Sequence, residues 1–322
     1  MRQIAVADVG GTHARFALAQ IDGNRVVSLG EPVTLKTAEH GSFQLAWQEF
    51  GRREGIELPK ELALSFAGPV GGDVLKLTNN PWVIRPALMK ERLGVDRYVV
   101  VNDFGAVAYA VATLPDEHFR HLFGPDRPLP KEGVTSIVGP GTGLGVAALL
   151  RKSDRYEVIE TEGGHVDFAP LDSLEDKIVT QLRRHFRRIS VERVASGQGL
   201  WNLYEALGAI EGRDLTFHDD KELWAAALAG SDSLATAALD RLCLSLGAVA
   251  GDMALAQGAN SVVIAGGVGL RLGDYLPRSG FRDRFIAKGR FERRMDEMPV
   301  KLITHPQPGL FGAAAAFARE HG

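Results

Sequence analysis

One cysteine, Cys243, occurs in 322 residues. A single thiol excludes an intramolecular disulfide and any multi-cysteine zinc site. Flanked by Leu242 and Leu244, it reads as a small apolar core residue. The dipeptide Gly-Lys occurs nowhere, which removes the P-loop pattern G-x-x-x-x-G-K-[ST]. No uninterrupted apolar run approaches the roughly 20 residues of a membrane span. The N-terminus has no basic segment leading into an apolar stretch with a cleavage site. Excess charge of one sign is lacking too. The net charge is -3, with acids and bases interspersed, so neither nucleic-acid binding nor a membrane surface is expected. The densest basic cluster, RRHFRR at Arg183 to Arg188, is expected on an amphipathic helix as a solvated face. These absences predict a soluble protein of a reducing compartment, the cytoplasm.

What is present is an ordinary globular composition, 45% hydrophobic and 24% charged, long enough for two domains. Ile4–Ala7 and Arg15–Ala19 read as a strand pair around a glycine turn. A helix capped by Ser42 is predicted to run to about Glu54, with Phe43, Trp47 and Phe50 at helical spacing. Pro86 to Leu93 reads as a short helix stopped by Gly94. YVVVND reads as a buried strand, and a helix follows from Phe104 to Ala112. The Pro- and Gly-rich stretch Gly124–Gly133 reads as a loop and a candidate domain boundary. In the second half, Asp172 and Glu175 suggest a capping box. Asp232 to about Ala259 reads as one long helix, apolar on more than one face. Strands mixed with helices argue for an α/β fold.

Two stretches share one plan. VADVGGTHARFAL and IVGPGTGLGVAAL each read as apolar strand, glycine-threonine turn, apolar strand, which suggests two related halves. A dinucleotide fold wants G-x-G-x-x-G opening a helix, but Gly139, Gly141, Gly143 and Gly145 give G-x-G-x-G-x-G running into a strand. What remains is a turn whose glycines bring backbone N–H groups to an anion, with Thr12 or Thr142 adding a hydroxyl. Asp8 ends the first strand. A carboxylate beside phosphate calls for a cation, and Mg²⁺ held largely through water fits. Either turn alone is as easily a plain turn, with Asp8 closing it. The pair, with Gly266 and Gly267 in a third strand-turn, points toward a nucleotide.

Asn102 and Asp103 end a strand, where ligands gather in open α/β sheets. A carboxylate there can accept a proton from an attacking hydroxyl; it can equally cap the following helix. In ETEGGHVDFAP, Glu162 and His165 flank a glycine turn, a donor–acceptor pair suited to a neutral polyol. Glu192 precedes another glycine turn, or is an acid in the first turn of a helix. Asn79 and Asn80 can hydrogen-bond a substrate or form a turn before Pro81.

The motifs DVGGTHAR, TNNPW, VVNDFGAVA, GPGTGLGVA, EGGHVDFAP, ERVASGQGLWNLY, IAGGV, SGFRDRFIAKGRF and PGLFGAA occur in that order nearly end to end. In these the chain resembles the bacterial glucokinases of the hexokinase–actin-like ATPase superfamily, and specifically their Escherichia-type group. The resemblance implies ATP-dependent phosphorylation of the 6-hydroxyl of glucose by a homodimeric enzyme. It implies two actin-like (ribonuclease H-like) α/β domains around a deep cleft, 1–112 plus 304–322 and 113–303. Asp103 matches the general base. Asn102, Gly143, Glu162, His165 and Glu192 match sugar contacts, and Asn80 borders the sugar. Asp8, Gly10, Gly11 and Thr12 match the first phosphate motif, Gly139, Gly141 and Thr142 the second, and Gly266 and Gly267 the nucleotide side. His13 stands where relatives often carry Asn. The related repressor/kinase group carries a cysteine-rich zinc motif that this chain cannot form, so no zinc is expected. A kinase of another hexose and a non-catalytic sugar sensor are the alternatives, with a hydride-transferring enzyme a distant third.

Overall fold

The opening apolar run forms β1 (Arg2–Val9) and turns into β2 (His13–Asp22), its antiparallel partner. The computed structural model describes residues 1–77, 80–153 and 155–322. The chain divides into two units, Met1–Pro115 with His305–Gly322, and Asp116–Thr304. Asn79 lies outside the described residues.

In the first unit β3 (Arg25–Leu29) and β4 (Val33–Lys36) pair with β2. The helix α1 (Phe43–Glu54) follows; Ser42 caps it by accepting from Leu45 N, and Gly55 ends it in the left-handed conformation. β5 (Glu61–Phe66) joins β1 in parallel. A small hairpin of β6 (Leu75–Lys76) and β7 (Val83–Ile84) and the helix α2 (Met89–Leu93) lead to β8 (Arg97–Asn102), parallel to β5. α3 (Asp103–Thr113) completes the N-terminal stretch. The sheet order is β3-β2-β1-β5-β8, with β4 also on β2.

Strand alternation decides what covers each face of this sheet. Ala5, Ala7 and Val9 face an aromatic cluster of Phe16, Phe43, Trp47, Phe50 and Trp82. Ile4, Val6 and Ala63 face the other way, onto the C-terminal helix α11 (Pro308–His321). The small residues of GLFGAAAAFARE serve a close approach. A Cβ on Gly312 would collide with the carbonyl of Ala106 in α3 and come within 3.0 Å of Ala110 N.

The second unit repeats the plan. β10 (Gly133–Pro140), β11 (Leu144–Lys152) and β12 (Arg155–Thr161) form an antiparallel meander. β13 (Ser261–Ile264) and β14 (Val300–Ile303) extend it in parallel, and β9 (Phe119–Phe123) closes the edge antiparallel. The helices are α4 (Ser173–Leu182), α5 (Gly197–Glu211), α6 (Asp220–Ala229), α7 (Ser233–Ala256), α8 (Gly266–Leu272), α9 (Phe281–Ile286) and α10 (Glu292–Asp296). α7 is long and apolar enough to cross a membrane by composition, but 72% of its most apolar stretch is buried inside the protein. It is the central core helix. Cys243 on it has no exposed surface, and burial pushes its thiol up to about 12, so it stays protonated.

Three expectations need correction. The loop Gly124–Gly133 lies inside the second unit, between β9 and β10, and the chain divides at Pro115 instead. The capping box is incomplete: Asp172 caps α4, but Glu175 accepts from Leu171 N and pairs with Arg284. The RRHFRR cluster is not helical. α4 ends at Leu182, His185 N donates back to Leu182 O, and the chain then extends to pair with residues 166–168. That non-local pairing outcompetes local helix spacing.

Gly312→Ala is expected to destabilise the protein by about 1–3 kcal/mol through overpacking against α3. Urea denaturation of the variant beside the parent checks this.

Candidate active site

Register assembles the first part of the site. Asp8 pairs with Ser65, and Phe66 with Asn102, so the carboxyl ends of β1, β5 and β8 coincide. Alternation turns Asp8 and Ser65 to the face covered by α11, and a Cβ on Gly309 would lie 3.4 Å from the Asp8 carboxylate. Asp8 Oδ1 accepts from Ser65 Oγ at 2.8 Å, and Oδ2 from Arg15 Nη1 at 3.4 Å. Burial raises the carboxyl above its ordinary 3.8, against the opposing pull of Ser65 and Arg15.

At the end of β8 the two polar residues have different tasks. Asn102 is the N-cap: its Oδ1 accepts from Phe104 N and Gly105 N, and its Nδ2 donates to Gly68 O at 3.1 Å. Asp103 is therefore the first helical residue rather than the cap, half-buried, with Oδ1 accepting from Phe104 N at 2.9 Å. An acid in a first turn also suits the helix dipole.

The tip between β1 and β2 is Gly10, Gly11 and Thr12. Gly10 N donates to His13 O, and Gly11 O accepts from Thr37 Oγ1 at 2.6 Å and from Asn80 Nδ2 at 3.3 Å. Asn80 Oδ1 accepts from Trp82 N, an Asx turn ahead of Pro81. Asn80 thus braces the glycine turn. The tip between β10 and β11 is built alike: Gly141 N donates to Gly143 O, and Thr12 and Thr142 are both exposed. The N–H groups of Gly10 and Gly141 are thus engaged inside their own turns.

The glycines divide by what requires them. A Cβ on Gly266 would strike Pro140 O, and its φ is +77°. A Cβ on Gly143 would strike Glu192 Oε2, which accepts from Leu144 N at 2.9 Å. These two are fixed by the fold. Gly10, Gly141 and Gly267 have no positive φ, and among the described residues nothing comes closer than 3.6 Å to a Cβ there. Open space at a glycine of ordinary φ suits the close approach of a bound group. Gly139 lies within β10, opposite Gly145.

The polyol candidates lie in the second unit. Glu162 and His165 bracket a 3-10 turn, with Nε2 and Oε2 3.9 Å apart and both side chains more than half exposed. Val191 N donates to Val166 O and Phe168 N to Ile189 O, which ties this turn to the one carrying Glu192. α5 begins against the second glycine tip, Gly197 N donating to Gly141 O at 2.7 Å. Sequence reasoning missed Ser65, Arg15 and Gly197. Ser65 sits in a fully buried strand, Arg15 meets Asp8 across the first hairpin, and Gly197 acts through a non-local bond to Gly141.

The raised Asp8 pKa means that the native state holds this proton more tightly than the unfolded chain. Ionised Asp8 then opposes folding above the unfolded value, and the effect fades as pH falls below it. Nucleotide- and metal-free Asp8→Asn is expected to melt at or above the parent at pH 7–8, with the gap closing toward about pH 4. Calorimetry across pH checks this.

Comparison with known proteins identifies the family. The family model described as Glucokinase matches residues 5–320. The glucokinase of Zymomonas mobilis is 63% identical over 319 residues, covering 99% of this chain and 98% of the relative. A crystal structure of glucokinase from an Antarctic psychrotroph superposes with a TM-score of 0.84 at 33% identity, covering 98% of this chain and 99% of that one. A glucokinase of the ROK family from Streptomyces griseus, in complex with glucose and AMPPNP, shares the fold with a TM-score of 0.63 at 21% identity, over 99% of this chain and 100% of that one. The chain belongs to the glucokinase family, kinases that transfer a phosphoryl group to glucose.

Proposed function

We propose that the chain phosphorylates the 6-hydroxyl of glucose from ATP, with Asp103 as the general base. The observation that carries this is the division of labour at the end of β8. Asn102 takes the capping role, which leaves Asp103 at the ligand-bearing edge of the sheet. Glu162, His165, Glu192 and Asn102 are assigned to the sugar hydroxyls, with Gly143 contributing backbone. The two glycine-threonine tips, with Gly266 and Gly267, are assigned to the nucleotide. The S. griseus relative's complex with an ATP analogue supports ATP as donor.

The reaction follows from these roles. The sugar ligands orient the hexose so that its 6-hydroxyl donates to the Asp103 carboxylate. The 6-oxygen attacks the γ-phosphorus in line, and ADP leaves as Asp103 takes the proton. Backbone donors of the tips stabilise the spreading charge.

Among the described residues no group of three or more His, Cys, Asp or Glu could hold a metal. A lone carboxylate beside a phosphate turn fits Mg²⁺, which keeps several waters. Asp8 would hold it through water, and the ion would shield phosphate charge. The relatives favour glucose over another hexose and a kinase over a sensor. A cytoplasmic homodimer completes the proposal.

Asp103→Asn is expected to lower kcat by about 100- to 10,000-fold, with a far smaller effect on glucose affinity. A coupled assay for glucose 6-phosphate with calorimetric glucose titration checks both, and near-normal turnover removes Asp103 from the mechanism.

A further inference from the structure

The basic cluster Arg183–Arg188 has no task in the proposed reaction. Its last member turns toward the site. Arg188 Nη1 donates to His165 O at 2.7 Å and to Asp167 Oδ1 at 2.6 Å. The backbone around it is paired on both sides: Phe168 N to Ile189 O and Val191 N to Val166 O, each at 2.9 Å, about a bridge between Asp167 and Ser190. Ile189 and Val191 are buried, and Glu192 follows directly.

We propose that Arg188 is a positioning residue for glucose binding, fixing the Glu162–His165 turn relative to Glu192. It rests on the reading of those three side chains as sugar ligands. The turn itself is closed by His165 N donating to Glu162 O at 3.0 Å, and the bonds that flank it are longer. Gly163 N reaches Thr161 Oγ1 at 3.3 Å and Val166 N reaches Gly163 O at 3.4 Å, both near the outer limit for a hydrogen bond. The backbone bonds between the two segments lie beyond the turn, at residues 166 and 168, whereas the shorter, charge-assisted bond from the guanidinium braces the turn itself at the His165 carbonyl. Arg188 and Asp167 are both mostly exposed, 56% and 72% at the side chain, so their ion pair contributes little to stability. What the bond governs is where His165 stands. A guanidinium holds two acceptors in one fixed plane, which an ammonium does not.

Arg188→Ala is expected to raise the glucose Kd and KM by about threefold to tenfold. Arg188→Lys should recover part of the loss. The change should fall on glucose KM rather than kcat, with the MgATP KM and the melting temperature unmoved. Calorimetric glucose titration, steady-state kinetics and thermal melting are run on these variants beside His165→Gln. Weakened glucose binding in His165→Gln with an unchanged Kd in Arg188→Ala overturns the inference alone. A lowered melting temperature with both substrates affected alike assigns Arg188 to folding and also overturns it. Unchanged glucose binding in both variants overturns the sugar-ligand reading itself.

Discussion

The parallel registration of β1, β5 and β8 is the constraint on which the first unit's chemistry depends. It brings three strand ends level, so that residues far apart in sequence, Asp8, Ser65 and Asn102, share one edge. A slip of one residue would turn Asp8 to the aromatic face and replace it with Ala7 or Val9. The register is held by burial on both faces: aromatic side chains pack on one, the small residues of α11 on the other. Partial burial beneath the same packing raises the carboxyl's proton affinity, against the pull of Ser65 and Arg15.

The second unit uses the same topology for a different purpose. Its meander and parallel strands place a glycine-threonine tip at the corresponding point, but a carboxylate now leans on the tip from outside. Glu192 reaches Leu144 N only because position 143 has no side chain. The Glu192 turn and the glycine-threonine tip are thereby linked through one glycine. Bulk at Gly143 would disturb both, whereas bulk at Gly141 would meet no protein atom among the described residues.

Much of this was legible in the sequence for physical reasons. Strand alternation, helix caps and glycine turns are local signals, and Ser42, Gly94 and Asp172 act where their chemistry predicts. Asp103 was ambiguous because Asn and Asp are both good caps; the preceding Asn102 decides between them. Ser65 was hidden because a serine in ELALSF gives no sign of its cross-strand partner. RRHFRR misled because helical spacing is local, while the pairing of Ile189 with Phe168 is not. The resemblance implied sharper roles than local signals could, notably for Glu162 and His165, where the local pattern offers only a donor–acceptor pair across a glycine turn.

The C-terminal helix gives the first unit a discontinuous chain. Residues up to Pro115 supply its sheet, yet the helix that covers one face of that sheet and abuts Asp8 lies beyond Thr304 in sequence, on the far side of the second unit. That sheet therefore stays bare on one face until the chain has passed through the whole of the second unit. Completion of the first unit is thereby a non-local event, closing a sheet with a segment that the entire second unit separates from it in sequence.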